Sequence, residues 1–530
     1  MAQRVLYPQQ AQSLPTISSR LRTSTRAVPW IALVLTLVFQ TLLSMNLQNT
    51  AFQDEALYVY AGREYFDEYF FGGEPVVEPY ALYFSGLPTF YPLIAGGLDI
   101  VAGIEGARFF SLICMLIVTA CAFVVTRRLF DLNSAICAAV LYAVQGSVLF
   151  LSRLATYDAM CLALAAIGTV CALRASEQRG LGFTILAGLA LLSAVAAKYA
   201  GLMFLPTVLA ILAWRTFQTF GIVQAAIKLI VVVAIIGGGI AIILTLDPQL
   251  WIGVSQTTTN RQALLQTDRL DLTLRSVQWA GLMIVIAAIG LLSGRFSWKT
   301  FPLKLVFFAT IFIAPIYHIY KMEGFSLHKH IAYGLFFGAP LAGYALARWS
   351  GYMTVRNVGK KWTVALTVIL LAFGLGLTQA RGFYAEWADS DDLIRLLRTQ
   401  VRPGAGRYLA EESEVMRYYL QDVVYGWQWN QLYWFYYTDK VGQQLQGVPA
   451  YHAAIDEGYF DLIILRYGPA VTTAQAVDDR LHGGTNYELI AEIPYYTMFG
   501  EGIYWVWRRA ENIEFSGRPQ IASATDGSQQ

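Results

Sequence analysis

The sequence predicts an all-α polytopic membrane domain of about eleven transmembrane helices, followed by a small extracytoplasmic α/β domain. Three observations carry this prediction. Apolar runs of roughly twenty residues, the length that crosses a bilayer core, recur between about residues 30 and 380. Charged residues are 14 % of the 530-residue chain and mean hydropathy is +0.47, whereas soluble domains carry about a quarter charged residues. From residue 381 onward the composition changes to that of a folded aqueous domain. The net charge of +2 carries little weight here, because the placement of charges matters more than their sum. No basic stripe of the nucleic-acid-binding kind is present, so nucleic acid is not an expected partner.

In chain order, residues 1–29 form a polar cytoplasmic tail with Arg4, Arg20, Arg22 and Arg26. The run "PWIALVLTLVFQTLLSMNL" that follows has no small-x-small cleavage site and reads as an uncleaved anchor. With this first span at 30–47, ten more are expected near 107–126, 134–151, 157–174, 182–197, 200–214, 227–246, 275–293, 302–319, 330–348 and 361–379. Residues 88–103, "PTFYPLIAGGLDIVAG", are shorter and contain Pro, Gly and Asp99; they read as an interfacial or re-entrant helix, or as a twelfth span. The membrane domain is thus 30–380, with an outer loop at 48–88.

The positive-inside rule tests this count. With the N-terminus inside, Arg127–Arg128, Arg174 with Arg179, Arg215 with Lys228, Arg295 with Lys299, and Arg348, Arg356, Lys360 and Lys361 all fall in cytoplasmic loops. The 48–88 loop, with the single basic residue Arg63, then lies outside, as does everything after the last span. In residues 381–512, "DDLIRLLRTQV" and "SEVMRYYLQD" have helical periodicity. "FDLIILRYG" reads as a buried strand, and "YELIAEIPYYTMFGEGIYWVWRRA" as two strands around a glycine turn. The aromatic run at 425–440 suits the domain core or the bilayer surface better than a sugar-stacking platform. Residues 513–530 are a disordered polar tail. All five cysteines lie in apolar segments, with no disulfide or zinc spacing.

On this topology the conspicuous polar residues beside the spans gather on the outer side. They are Asp54–Glu55, Arg108, Asp158 with Arg153, Lys198, and the group His318, Lys321, His328, Lys329 and His330. Each has a plain structural reading: Asp54 as a helix N-cap, Lys198, Arg108 and Arg153 as snorkelling side chains, the histidines as satisfied loop residues, and Asp67 and Glu68 as solvated acids. Their convergence on one membrane face is harder to explain singly, since ionisable groups near a membrane core mark sites or pathways. The set suits transfer from a lipid phosphate. Cations at that depth would stabilise an anionic leaving group, and a carboxylate would take the acceptor's proton.

The segment "F-x-x-DEA-x-Y-x-x-x-GR" after the first span resembles the GT-C glycosyltransferases, in particular the bacterial dolichyl-phosphate-mannose protein mannosyltransferase and aminoarabinose-transferase group. "PTFYPLIAGGLDIVAG" with "GARFFSLI", "SRLATYDAM", "AAKYAGLMFLP" and "HKHIAYGLFFGAPLAGYAL" resemble that group's segments in the same order over residues 50–350. A "KPPL"-like segment of many relatives is replaced by "GLPTFYPL". The resemblance implies inverting transfer from a polyprenyl-phosphate sugar, at the outer face of the cell membrane, to a protein, lipid or glycan acceptor. It assigns Asp54 as catalytic carboxylate with Glu55 beside it, and Asp158 as the second carboxylate. Lys198 would meet the carrier phosphate, with Arg108, Arg153, Lys329 and His330 as further donors, and Tyr58 and Arg63 would face the acceptor. Some members bind a divalent metal, so a divalent cation is carried as an expectation without assigned ligands. The rival reading is a multi-span transporter or lipid-linked-glycan flippase, which would place its charges mid-span and repeat its halves. A non-catalytic scaffold, which would tolerate loss of Asp54 and Lys198, is a third.

Overall fold

A computed structural model of the chain describes residues 17–260, 266–294, 296–352, 358–468 and 470–510. Arg4, Arg295, Arg356 and the tail at 513–530 lie outside the described residues. The chain runs α1 (Ile17–Met45), α2 (Gln53–Phe66), α3 (Tyr91–Ala102), α4 (Ile104–Leu129), α5 (Leu132–Ala143), α6 (Gly146–Leu151) and α7 (Tyr157–Ala175). It continues through α8 (Gly182–Ala197), α9 (Leu205–Phe220), α10 (Ile222–Leu246), α11 (Gln249–Thr257), α12 (Arg269–Leu292), α13 (Phe301–Thr310) and α14 (Ile313–Lys321). Helices α15 (Leu327–Tyr352) and α16 (Val358–Tyr384) close the apolar part.

Among the described residues, 8 segments are long and apolar enough to cross a membrane. The shorter apolar helices Pro29–Met45, Leu132–Ala143 and Gly182–Ala197 fall on three further expected spans. The architecture is that of a multi-pass membrane protein. At about 1.5 Å per residue, α3 reaches roughly 18 Å, short of a hydrocarbon core of about 30 Å. Three boundaries differ from expectation. Helix α1 begins at Ile17 rather than near 30. The span expected at 134–151 breaks between α5 and α6, where Gln145 is extended and its Nε2 donates to Leu141 O at 2.7 Å. That side-chain bond satisfies a carbonyl the helix leaves open. The span at 302–319 breaks between α13 and α14.

Burial orders the helices. The apolar window of Leu327–Ser350 is 89 % buried, and α15 packs against α4, α5 and α12 as the axis of the bundle. Helices α10 and α16 lie at the rim, their windows 11 % and 22 % buried. Helix α2 lies against α3 at a crossing that only glycine permits. A Cβ on Gly62 would sit 1.8 Å from Pro92 O, and one on Gly96 2.2 Å from the Gly62 carbonyl carbon.

After α16 the chain forms α17 (Asp391–Gln400), β1 (Tyr408–Ala410), α18 (Ser413–Tyr419), β2 (Trp429–Asn430), β3 (Tyr436–Thr438), β4 (Gln444–Gln446) and α19 (Val448–Asp456). β5 (Leu462–Leu465), α20 (Val471–His482), β6 (Tyr487–Thr497) and β7 (Gly500–Arg509) follow. The main sheet has the order β2-β1-β5-β7-β6, parallel from β2 to β5 and antiparallel through β7 and β6. This matches the helices and strands expected there, and β5 is buried at every position. The aromatic run divides: Trp429, Leu432 and Phe435 enter the core, while Tyr425, Trp427, Trp434 and Tyr436 are exposed.

Candidate active site

The site begins where the chain turns from α1 into α2. Residues 49–53 are held by the segment that follows the last span. Asn49 Nδ2 donates to Tyr384 O (2.9 Å) and Trp387 O (3.1 Å), and Trp387 Nε1 donates to Thr50 O at 3.0 Å. The backbone N–H of Ser390 donates to Thr50 Oγ1 at 3.0 Å, and that of Ala51 to the Tyr419 hydroxyl at 2.7 Å. Gln53 Nε2 donates to Glu414 Oε2 at 3.1 Å.

Asp54 and Glu55 both lie in the first turn of α2, where the helix dipole favours carboxylates, yet they face different surroundings. Glu55 is fully buried and accepts from Phe52 N (2.9 Å), Ala155 N (2.7 Å), Arg108 Nε (2.9 Å) and Arg108 Nη2 (2.8 Å). Arg108 also donates to Asn49 O, Thr50 O and Glu105. Arg153 donates to Leu47 O at 3.0 Å and pairs with Glu105 at 2.5 Å. Arg108 and Arg153, expected at the donor phosphate, are instead occupied by carboxylates and carbonyls. A buried charge pair persists only when so fully bonded. Glu55, expected beside the catalytic carboxylate, thus has its hydrogen bonds inside the protein.

Asp54 points toward α15. Its Oδ2 accepts from Lys329 Nζ at 2.6 Å, and its side chain stays 36 % exposed against 3 % for Lys329. The next residue on α15, His330, has Nε2 4.0 Å from Asp158 Oδ1. Asp158 is buried in the first turn of α7 and accepts from Lys198 Nζ at 2.5 Å and Thr156 Oγ1 at 3.2 Å. One turn of α15 therefore touches both carboxylates. His318 Nε2 lies 2.8 Å from His330 Nδ1, and His318 Nδ1 lies 2.7 Å from Glu323 O. A carbonyl can only accept, so His318 carries a proton on Nδ1.

Lys198 stands in a break between α8 and the 3-10 turn Tyr199–Phe204, in extended conformation. The end of the loop between α2 and α3 pins this break: Leu87 N donates to Ala196 O and Tyr199 N to Ser85 O, each at 2.8 Å. Gly86 permits the approach, since a Cβ there would lie 2.1 Å from Ala197 O. Tyr58, buried, and Arg63, half-buried, both expected at the acceptor, already have partners. The Tyr58 hydroxyl is 2.6 Å from that of Tyr157, and Arg63 pairs with Asp99, which also accepts from the Tyr418 hydroxyl at 2.7 Å.

The profile of the dolichyl-phosphate-mannose-protein mannosyltransferase family matches residues 88–237. No curated protein sequence matches the chain. Among solved structures, ArnT from Cupriavidus metallidurans bound to undecaprenyl phosphate is 13 % identical, with 93 % of this chain and 100 % of that one covered and a TM-score of 0.58. The chain has the GT-C fold. The Archaeoglobus fulgidus oligosaccharyltransferase AglB, in complex with an inhibitory peptide and a dolichol-phosphate, is 12 % identical over 91 % of this chain and 75 % of that one, at 0.52. The mycobacterial arabinofuranosyltransferase AftD is 14 % identical over 92 % of this chain, at 0.50; here the chain spans 42 % of the other's length.

Within this GT-C fold, a divalent cation does not fit the residues present. Asp54 and Asp158 each already have a lysine ammonium, at 2.6 and 2.5 Å, and these cations oppose a third. Among the described residues no group of three His, Cys, Asp or Glu is placed to hold a metal ion. Sequence reasoning missed Glu386, which follows the last span and lies within electrostatic reach of Lys329. Burial pushes its carboxyl up to about 7, partly offset by Arg275 and Lys329. The folded chain therefore holds that proton more tightly than the unfolded chain, so stability falls as pH rises from the ordinary 4.5 to about 7. Glu386→Gln is expected to gain on the wild type as pH rises through that window, read from thermal midpoints at about pH 5 and about pH 8.

Proposed function

We propose that this chain is an integral membrane glycosyltransferase. It moves a sugar from a polyprenyl-phosphate donor to an acceptor hydroxyl or amine on the face that carries the sheet domain, with Asp54 as general base. The observation that carries this reading is the difference in access among the three acids: Asp158 and Glu55 are buried, while Asp54 keeps 36 % of its side chain open beside Lys329.

In the proposed reaction the acceptor oxygen or nitrogen attacks the anomeric carbon as the bond from that carbon to the phosphate oxygen breaks. Direct displacement inverts the centre. Asp54 takes the acceptor's proton, and polyprenyl phosphate departs with the bonding pair. Lys198, with Lys329 and His330, would meet the phosphate charge, so the incoming phosphate competes with Asp158 and Asp54 for the ammonium groups. The ArnT and AglB structures contain undecaprenyl phosphate and dolichol-phosphate, which supports this donor class. An orientation with the sheet domain extracytoplasmic and the N-terminus cytoplasmic is supported by the far end of the bundle. There Arg128 pairs with Glu177, Lys228 donates to Ala175 O and Gln178 O, and Lys299 O accepts from Trp214.

The test is release of free polyprenyl phosphate from a panel of polyprenyl-phosphate sugars, wild type against Asp54→Asn. Release that depends on the sugar and is lost in the variant supports the reading. Absence of release from every donor, with both proteins alike, moves the assignment to transport. Lys198→Met is expected to raise KM for the donor by about 10–100-fold, the worth of a hydrogen bond to a charged group, with a smaller change in kcat.

A further inference from the structure

The β6–β7 hairpin ends in a tip whose side chains are large, apolar and exposed: Tyr496 at 71 %, Met498 at 53 % and Phe499 at 75 %. We propose that this tip enters the lipid leaflet on the side of the sheet domain, so that the domain is anchored in the bilayer as well as on the helices.

Depth is fixed by contact with a spanning helix. The backbone N–H of Met498 donates to Ala385 O at 2.6 Å, and Ala385 is the residue after the apolar span Thr363–Tyr384. The Met498 Cε lies 3.7 Å from where a Cβ on Gly382 would be, within that span's last turn. Helix α16 is at the rim and exposes Leu366, Leu370, Leu371 and Leu375, so the tip continues a lipid-facing surface. The turn also satisfies its own polar groups. Phe499 N donates to Thr497 Oγ1 at 3.2 Å, and that hydroxyl donates to Gly500 O at 3.3 Å. Internal satisfaction is what an apolar solvent demands of backbone. Polarity rises away from the tip: the Tyr496 hydroxyl faces Glu501, and the far end carries the exposed Arg508–Glu488 pair. Tyrosine with its hydroxyl turned to water and its ring toward lipid is the usual interfacial arrangement.

The experiment places a nitroxide at Phe499→Cys and, as control, at Glu488→Cys, which lies about 30 Å down β6 from its turn end at Thr497, at roughly 3.3 Å per residue. The full chain, with its five cysteines replaced by alanine, is held in phosphatidylcholine–phosphatidylglycerol nanodiscs. Accessibility to oxygen relative to a water-soluble nickel chelate is expected to be several-fold higher at 499 than at 488. Equal aqueous access at both positions would overturn the proposal. Should the cysteine-free chain not fold, p-benzoylphenylalanine at 499 in the otherwise native chain gives the second readout. A lipid adduct on illumination supports insertion, and cross-linking to a second copy of the chain, or no lipid adduct, overturns it.

Discussion

Asp54→Asn is expected to lower kcat by about 10²–10⁴-fold, the range over which a positioned general base contributes, without weakening donor binding. The amide keeps an oxygen for Lys329 Nζ, which now sits 2.6 Å from Asp54 Oδ2, but cannot take a proton. Because the variant also removes the anion that competes for Lys329, affinity for polyprenyl phosphate is expected to hold or rise. Steady-state kinetics with a titration of polyprenyl phosphate separates the two effects. A higher dissociation constant with kcat intact would make Asp54 an orienting partner of Lys329 and not the base.

Arg108→Ala is expected to act on stability, by about 3–5 kcal/mol, the penalty for leaving a buried charge without its partner. Glu55 would keep only the N–H groups of Phe52 and Ala155, the carbonyl of Asn49 would lose the Arg108 donor, and that of Thr50 would keep only Trp387 Nε1. Thermal unfolding in detergent measures the loss. Arg108→Lys is expected to rescue little, because an ammonium cannot reproduce the two-pronged contact with the carboxylate. Adding Glu55→Gln to Arg108→Ala is expected to recover part of the loss by removing the stranded charge, a coupling that a double-mutant cycle reads directly.

The spans were legible because apolar runs of bilayer length report burial or lipid contact whatever the tertiary context. The α5–α6 break was not, because it depends on one glutamine returning to a carbonyl of its own helix. At the site, residue type and order pointed to Asp54, Asp158 and Lys198. Partnership was hidden by sequence distance: Lys329 reaches Asp54 across 275 positions, and Arg108 reaches Glu55 across 53. An arginine beside a membrane reads alike whether it waits for a phosphate or is already enclosed by acceptors. The partners of Tyr58 and Arg63 were hidden for the same reason, since Tyr157 and Asp99, which engage them, lie outside their own segment.

The strap at residues 49–53 has a consequence for how the protein is made. Its bonds to Tyr384, Trp387, Ser390, Glu414 and Tyr419 span 335 to 368 residues. Asp54 therefore leaves the ribosome among the first polar groups of the membrane domain and is among the last to be seated. Chains fold from the N-terminus as they are synthesised, yet here the helix bearing Asp54, the proposed base, waits for the final span and the sheet domain before its start is fixed. A half-translated chain threaded into the membrane holds both aspartates and Lys198 but lacks Lys329 and every partner of the strap, so the proposed centre is assembled only on molecules synthesised past α18.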